Sequence, residues 1–418
     1  MNKKRLFTKS LVAVAITMAS QQAMAAGFQL NAQSATGLGR AFAGDAVIAD
    51  NASAMSRNAA AMSLFDAPAI SLGINAVDTD IEVKNATYSS AFNPAGPQDL
   101  NNQSIGDVSY VPNIYYIHPI NDQWTLGAGI YSNFGTKTEF SDDFAANEYG
   151  GLTDVKSVNF ALSASYRINE QWSVGGGLDI IYGSGELKRS NKTLETVIGS
   201  QTGIEGPLLD VDADGVGFGF NLGTVYELNE NNRFGLSYRY SPELEVDGDM
   251  HFQTGGGDIS NQKLNIPLPD MAEFSGYHRL NQQFAVHYSV QWIGWSAFDK
   301  LETSGGQVLN EYEWQDGWHY AIGGTYYLNN DWTLRAGYMH DTSAQDKRTS
   351  ISVPDSDRNW FSGGFTYHLD SKSNIDFGVT YLVGEDVDVV ENSTGATQIT
   401  ATTRANAWLY GVQYSRSF

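Results

Sequence analysis

The chain ends on Trp408-Leu409-Tyr410-Gly411-Val412-Gln413-Tyr414-Ser415-Arg416-Ser417-Phe418, a stretch in which two kinds of side chain alternate. One face carries aromatic and apolar groups, interrupted only by Arg416, and the other carries mostly small or polar groups. A period of two is the pattern of a β-strand whose two faces meet different surroundings. A strand with an aromatic face that finishes on a C-terminal Phe is typical of a membrane-spanning β-barrel, which meets lipid outside and a lumen inside.

A recurring hairpin extends this interpretation along the chain. An aromatic-rich strand ends in a short polar turn built around Asn or Asp, and the next strand often begins with Trp, as in residues 115–124, 166–172 and 326–332. Weaker copies lie at 226–234, 277–284 and 367–377. Aromatic residues on both flanks of short turns are how the interfacial girdles of a barrel appear in sequence.

Long polar segments separate the short turns, at residues 85–107, 137–155, 189–214 and 385–398. Short turns on one side and long loops on the other are characteristic of outer-membrane barrels. The sequence therefore predicts an all-β fold, an antiparallel transmembrane β-barrel of about fourteen strands over residues 68–418. The alternative is a soluble β-sandwich, but its turns would recur every 8–12 residues or so.

The N-terminus predicts export. Lys3, Lys4, Arg5 and Lys9 precede a short apolar run at residues 11–18, and Ala23-Met24-Ala25 forms a small-x-small cleavage site. This is the organisation of a secretory signal peptide, predicted over residues 1–25, whereas an uncleaved anchor would need a longer apolar run. The chain has no cysteine, so the exported fold must be held without disulfides.

The charge balance is acidic, at −22 for the whole chain. It argues against nucleic acid as a partner. It suits outer loops that meet divalent cations at a surface of outer-membrane lipid and lipopolysaccharide, although plain colloidal repulsion would account for it equally well. The long loops could also serve in adhesion or as a phage receptor.

Residues 26–67 precede the first strand and do not alternate. They are rich in Gly, Ala, Ser and Asn, yet carry large apolar residues such as Phe28, Leu38 and Phe42. A barrel of this width cannot be filled by its own side chains. We therefore expect this segment to form an N-terminal hatch that plugs the lumen. A solvated periplasmic tail is the alternative, but such tails carry few large apolar residues.

Several motifs together resemble the FadL-type family of outer-membrane long-chain fatty acid and hydrophobic compound transporters. The resemblance covers essentially the whole chain beyond the signal peptide, and is weakest in the long loops. The residues that carry it are Ala26-Gly27-Phe28-Gln29-Leu30-Asn31, Gly37-Leu38-Gly39-Arg40-Ala41-Phe42, Ile48-Ala49-Asp50, Val111-Pro112-Asn113, Pro119-Ile120-Asn121-Asp122-Gln123, Ser275-Gly276-Tyr277, Trp295-Ser296, Gly324-Thr325-Tyr326-Tyr327, Asp331-Trp332-Thr333 and Ser350-Ile351-Ser352-Val353-Pro354-Asp355.

The resemblance implies a fourteen-stranded barrel with a hatch in its lumen. It also implies a passive route in which a fatty acid or other hydrophobic ligand is captured in an apolar pocket, the hatch moves, and the ligand leaves sideways through a kink in the third strand. Asn133-Phe134-Gly135 fall at that kink, although Gly135 could simply end the strand. Phe28 matches the residue that reaches toward the pocket, and plain hatch packing is its alternative role.

Two further matches depart from the family pattern. Asn58-Ala59-Ala60 corresponds to the hatch switch, but Ala59 replaces a proline that would make this turn rigid. Arg189 matches a basic residue that contacts the ligand carboxylate, while the second basic position is occupied by Glu302. Lys300 lies two residues away on the same face of the predicted strand and could substitute. A weaker carboxylate clamp leaves open a neutral or aromatic hydrocarbon as the substrate.

Other functions find less support in the sequence. Asp210, Asp212 and Asp214 resemble the start of a calcium loop, but its final carboxylate is missing, and an acidic surface loop needs no metal. Neither a Gly-x-Ser-x-Gly nor a His-Glu-x-x-His motif occurs, so we expect no enzymatic activity, as a lipid hydrolase would require, and no cofactor. A polar diffusion porin remains a rival, against which the plug-like N-terminus argues.

Overall fold

The computed structural model describes residues 27–393 and 395–418, so the predicted signal peptide lies outside the described residues. Fourteen antiparallel strands form a closed β-barrel, which confirms the predicted fold class. The barrel strands are β1 Ala69–Ser90, β2 Val108–Pro119, β3 Trp124–Tyr131 with its continuation Gly135–Glu139, β4 Leu152–Arg167, β5 Trp172–Arg189, β6 Leu209–Asn229, β7 Asn232–Tyr240, β8 Met271–Arg279, β9 Phe284–Ile293, β10 Gly317–Tyr327, β11 Trp332–Asp341, β12 Arg358–His368, β13 Ser373–Gly384 and β14 Thr397–Ser417.

The C-terminal strand closes the barrel and shows the predicted alternation. β14 pairs with β13 on one side and with β1 on the other, where Ala69 stands opposite Ser417. Trp408 and Tyr410 are 43% and 41% exposed on the outside, whereas Leu409 between them is 1% exposed. The aromatic face therefore points outward, and the face of smaller and polar residues points inward.

Large apolar side chains cover the outside of the barrel wall. Leu162 on β4 stands opposite Leu178 on β5, and the two are 63% and 69% exposed. Soluble proteins rarely expose apolar patches of this extent, whereas a surface that faces lipid requires them. In the part of the chain that the structure describes, no helix is long and apolar enough to cross a membrane.

The short turns owe their conformation to one Asn or Asp side chain. Asn121 Oδ1 accepts hydrogen bonds from the backbone amides of Gln123 and Trp124, both at 2.9 Å. Asn169, Asn281, Asn329 and Asp370 repeat this pattern in four later turns. The side chain satisfies amides that the turn leaves without a strand partner, which explains the recurrent position of these residues before the next strand.

Smaller helices and strands lie within the long loops and extend the barrel at that end. Helix Lys192–Thr202 follows β5, and a short sheet is formed by parts of the segments after β7 and β9. The remaining elements are strands Gln98–Asp99, Gln103–Ser104, Glu243–Phe252, Gly257–Asp258, Leu264–Pro267, Lys300–Thr303, Val308–Glu311 and Val387–Ser393, and 3-10 turns Gln253–Gly255 and Trp295–Ala297.

The N-terminal segment, residues 27–67, contacts inward-facing residues around the barrel wall. It contains helix Ala35–Leu38 and 3-10 helices Ala52–Ser56 and Ala59–Leu64. Glycines in the wall allow the backbone of this segment to come close. A Cβ added at Gly378 would lie 2.2 Å from the Ala35 carbonyl oxygen, and a Cβ added at Gly337 would lie 2.1 Å from the Arg40 carbonyl oxygen. Small residues on the inner face of the wall therefore allow this segment to pack against the strands.

Ion pairs, some of them buried, add polar anchors between this segment and the wall. Arg40 pairs with Asp45 and Asp50 of its own segment, and Asp50 in turn pairs with Arg335 on β11. Arg57 pairs with Glu273 on β8. Charges buried in this way must be paired, because a carboxylate or guanidinium left alone away from water is costly. These pairs fix the position of the segment inside the wall.

Candidate functional site

The third strand is interrupted at residues 132–134. Trp124–Tyr131 pairs with β2 and β4, whereas the continuation Gly135–Glu139 has strand pairing in the described residues with β4 alone. The wall between β2 and β3 therefore loses its ladder beyond Tyr131. The interruption coincides with Asn133-Phe134-Gly135, where the sequence places the kink, while the role of this break as an opening stays a prediction.

The N-terminal segment supplies the hydrogen bonds that the break lacks. The Leu30 amide donates to the Asn133 carbonyl at 2.7 Å, and the Gly135 amide donates to the Phe28 carbonyl at 2.8 Å. Gln33 Nε2 donates to the Asn133 side-chain oxygen at 3.1 Å. Buried backbone groups require such partners. The break in the strand is thus held in place by the N-terminal segment.

A small apolar cavity of about 30 Å³ lies beside the break. Phe28 forms part of its wall, together with Thr136 from the continuation of β3. The other residues that line it are Thr153, Val155, Gly185, Leu187, Val211, Leu264, Ile266, Phe298, Leu301, Tyr312, Trp314 and Val353. Ligand pockets are lined mainly by apolar side chains, as this cavity is, and a cargo larger than its present volume must displace part of the lining. We call this space the apolar cavity.

Phe28 lies within a cluster of aromatic rings. Its ring centroid is 4.5 Å from that of Trp295, 5.2 Å from that of Phe298 and 5.8 Å from that of Trp314. Phe134, in the break, is 6.2 Å away. Edge-to-face aromatic contacts of this kind contribute about 0.5–1.5 kcal/mol each beyond burial. Cavity, break and N-terminal segment therefore meet at Phe28, where the sequence placed a ligand contact.

Arg189 lies at the edge of the apolar cavity. Its guanidinium donates to Thr153 Oγ1 at 2.8 Å and to the Leu152 carbonyl at 2.6 Å, and Thr153 lines the cavity. Burial raises the pKa of the cavity residue Tyr312, which keeps its phenol neutral. Among the cavity-lining side chains none is charged. Arg189 is thus a cation next to an uncharged apolar space.

Lys300 is not brought to this site. Its side chain is 46% exposed and pairs with Glu302, while Leu301 between them lines the cavity. The alternation of strand Lys300–Thr303 turns both charged residues away from the apolar cavity. Lys300 and Arg189 therefore do not form a common carboxylate clamp in this conformation.

Asn58-Ala59-Ala60 begin the second 3-10 helix of the N-terminal segment. Asn58 Oδ1 accepts from the Ala60 amide at 3.0 Å as a helix cap, and its Nδ2 donates to the Thr224 carbonyl on β6 at 3.1 Å. A Cβ added at Gly175 on β5 would lie 2.4 Å from the Ala60 nitrogen. These residues therefore touch the wall at β5 and β6, and they do not line the apolar cavity.

Asp210, Asp212 and Asp214 belong to β6 and not to a loop. Their side chains alternate with Val211, which lines the apolar cavity, and with Ala213, which is buried. Within residues 27–393 and 395–418, no group of three His, Cys, Asp or Glu side chains is arranged to hold a metal ion. The suggested calcium loop is therefore not formed.

Most of the cavity lining escaped the sequence analysis. Leu264 and Ile266 come from the segment after β7, and Trp314 from the segment after β9. The one sequence signal that could have found them is the cluster of apolar and aromatic residues, such as Leu264, Ile266 and Leu268, inside segments that are otherwise polar.

Comparison with known proteins gives related sequences and folds. A family described as outer membrane protein transport protein (OMPP1/FadL/TodX) matches residues 16–418. The chain is 38% identical over 454 residues to a long-chain fatty acid transport protein of Escherichia coli O6:H1, covering 100% of both chains. It is 34% identical over 459 residues to outer membrane protein P1 of Haemophilus influenzae, covering 99% of each.

Solved structures show the same fold. A FadL homologue of Pseudomonas aeruginosa superposes with a TM-score of 0.83 at 20% identity, over 94% of this chain and 100% of that chain. The toluene transporter TodX of Pseudomonas putida superposes with a TM-score of 0.67 at 19% identity, over 94% of this chain and 100% of that chain.

Proposed function

The chain belongs to the family of outer membrane transport proteins that includes FadL and TodX, and we propose that it carries long-chain fatty acids or similar hydrophobic molecules passively across the outer membrane. The observation that carries this proposal is the uncharged apolar cavity beside the interrupted third strand. A cavity bounded by Phe28 and by the outer loops suits a guest that enters from outside and meets the N-terminal segment.

The physical chemistry of the cargo favours such a route over a water-filled pore. Exposing an alkyl chain to water costs about 0.8 kcal/mol per CH₂, or roughly 10 kcal/mol for a long chain. A path between apolar surfaces avoids this cost. An N-terminal segment that is held against the wall by ion pairs and close backbone contacts would obstruct a straight aqueous passage, and this supports a hydrophobic route over a polar diffusion porin.

The mechanism we propose couples cavity and wall through the N-terminal segment. Cargo in the apolar cavity displaces Phe28, and this movement strains the hydrogen bonds that Phe28 and Leu30 make to the break. Beyond Tyr131 the β2–β3 ladder is already absent, so releasing the segment opens a sideways exit into lipid. Tight capture followed by release requires two conformations with different affinity for the cargo. No covalent step is involved.

A neutral hydrocarbon is the second candidate cargo, and the outward position of Lys300 favours it. Only Arg189 of the expected carboxylate clamp lies at the apolar cavity. The related TodX is described as a toluene transporter. A cavity without a lining charge accepts a hydrocarbon without the desolvation cost that an anion would incur.

Deletion of the gene and its restoration test the proposal. We expect uptake of radiolabelled oleate to fall on deletion and to return on restoration, while uptake of labelled toluene measured in the same cells decides between the two cargoes. Unchanged uptake of both, in a strain without a second transporter, would contradict the proposed function. Steady ion conductance of the purified protein in planar bilayers would instead support the porin.

A further inference from the structure

A second cavity, polar and of about 20 Å³, adjoins the N-terminal segment. Phe28 lines the apolar cavity, and the next residue, Gln29, lines the polar one. Asn133, which belongs to the break in β3, lines the polar cavity as well. Both cavities therefore adjoin the break. No step of the proposed mechanism so far uses the polar cavity.

The walls of the polar cavity carry side-chain amide N–H groups that have no strong hydrogen-bond acceptor. Asn133 is 4% exposed, its Oδ1 accepts from Gln33, and its Nδ2 has no partner in the described structure. Gln291 Oε1 accepts from His319 at 3.0 Å, which directs its Nε2 to the Met271 sulfur at 3.9 Å. A thioether is a weak acceptor.

Gln29 repeats the arrangement from the N-terminal segment. Its Nε2 also reaches only the Met271 sulfur, at 3.4 Å, and the side chain as a whole is 1% exposed. Arg57 Nε is a further buried donor without a partner, and Gln29 Oε1 is the one such acceptor among these groups. The surplus of donors calls for a guest that only accepts hydrogen bonds.

The charged groups at the cavity are paired with one another, so they leave no excess negative charge to repel an anion. Arg57 and Arg239 contribute two guanidinium groups, and Glu273 contributes one carboxylate. Glu273 is already bound by Arg57 at 3.3 Å and by Ser275 at 2.9 Å, and Arg239 pairs with Asp179. A buried anion needs donors around it, and Asn133 Nδ2 and Arg57 Nε are donors without another partner.

We infer that the polar cavity binds the carboxylate group of a fatty acid in transit. This inference rests on the proposed function and extends it. A carboxylate offers acceptor oxygens and no donor when ionised. The alkyl chain of the cargo lies among the rings around Phe28. Its head group then lies at Gln29, which is the next residue of the N-terminal segment, and at Gln291 and Asn133. The site holds the head group at the break from which the chain leaves.

Gln291→Glu tests this inference, because it keeps the acceptor for His319 and Arg57 and replaces the donor by a negative charge. Proteoliposomes containing the full mature protein would be loaded with albumin, and the uptake rates of palmitate and of uncharged hexadecanol compared. A hydrogen bond to a charged group is worth about 1.5–3 kcal/mol, so we expect the palmitate-to-hexadecanol ratio to fall about tenfold or more. Gln291→Met, which removes the donor together with the acceptor for His319 but adds no charge, should lower the ratio in the same direction.

Gln413→Met is the matched control, since Gln413 is a buried wall glutamine that contacts Ala35 and lies outside the polar cavity. Its ratio should equal that of the wild type even if both rates change. An unchanged ratio in both Gln291 variants, with a wild type that carries both compounds, overturns the carboxylate site alone. A wild type that carries neither compound overturns the proposed function together with this inference.

Discussion

The backbone carbonyl oxygen of Phe28 accepts a hydrogen bond from the backbone amide of Gly135 across 2.8 Å. The side chain of Phe28 lines the apolar cavity, while Gly135 resumes the interrupted third strand. Phe28 therefore contacts the cavity with its ring, while its backbone carbonyl is hydrogen-bonded to the barrel wall. We therefore predict that a guest that moves the ring also acts on the strand break through this bond.

Replacing Gly135 by Val should reduce fatty acid uptake roughly tenfold, the effect of about 1.4 kcal/mol on a barrier. A β-branched residue favours a regular strand and resists the bend at the break. Uptake would be measured in a deletion strain that expresses each variant at equal barrel content. Gly363→Val on β12 is the control, because a Cβ there meets nothing within 4 Å. Full uptake by Gly135→Val would argue against exit at the break.

Phe28→Ala should loosen the N-terminal segment and weaken ligand binding. Removing a buried Phe side chain costs about 3–5 kcal/mol of packing, and here that packing joins the segment to Trp295 and Trp314. We expect faster proteolysis within residues 27–67 and loss of the tryptophan fluorescence change on ligand addition. Phe92→Ala, at an exposed loop position, should leave both unchanged. An unaltered fluorescence titration for Phe28→Ala would contradict its role as a ligand contact.

Arg189→Ala should weaken the initial binding of a fatty acid at the apolar cavity, before its head group reaches the polar cavity, by about tenfold or more, since a hydrogen bond to a charged group contributes about 1.5–3 kcal/mol. Binding of an uncharged hydrocarbon should stay the same, because the cavity lining itself carries no charge. Displacement of a fluorescent fatty acid would measure both affinities. Arg348→Ala removes an exposed arginine paired with Glu311 and serves as the control. Equal affinity of wild type and Arg189→Ala for the fatty acid would exclude the contact.

As the pH rises from about 4.5 to 7, ionisation of Glu391 should lower the stability of the outer loops. Burial raises the pKa of this carboxyl to about 7, against the opposing effect of the Ile351 amide, which donates to it at 2.7 Å. The folded state therefore retains a proton that the unfolded chain releases, so stability is greatest at low pH and declines until the folded group has ionised. Thermal unfolding of wild type and Glu391→Gln at pH 5 and pH 8 would measure this. The same pH dependence in both proteins would refute the assignment.

Ala59→Pro should stabilise the 3-10 helix Ala59–Leu64 by about 0.4–1 kcal/mol and slow cargo release. Ala59 is the first residue after the cap Asn58, where a proline is well accepted, and Asn58 has the extended backbone that a following proline requires. Hydrogen exchange across residues 59–64 would report the helix, and single-turnover release the function. Ala61→Pro, inside the same helix, should destabilise it. Faster exchange in Ala59→Pro would contradict the prediction.

Local patterns in the sequence predicted most of the barrel. The alternation of Trp408, Tyr410 and Val412 with smaller residues is a property of the strand itself, and it indicated which face meets lipid. The turn signal before Trp124 is equally local, because Asn121 caps amides only two and three residues away. The number of strands then followed from counting such turns. The position of the break at Asn133 came from resemblance, since a glycine in a strand permits a bend without requiring one.

The sequence by itself determined strands, turns and the orientation of the wall, because these depend on neighbours within a few residues. Only the tertiary structure decided which distant residues meet. Val211, Leu264, Trp314 and Val353 line one cavity although they lie far apart along the chain. The outward direction of Lys300 and the donors around Met271 depend on the register of separate segments. Such contacts are set by packing across the barrel, which no local periodicity records.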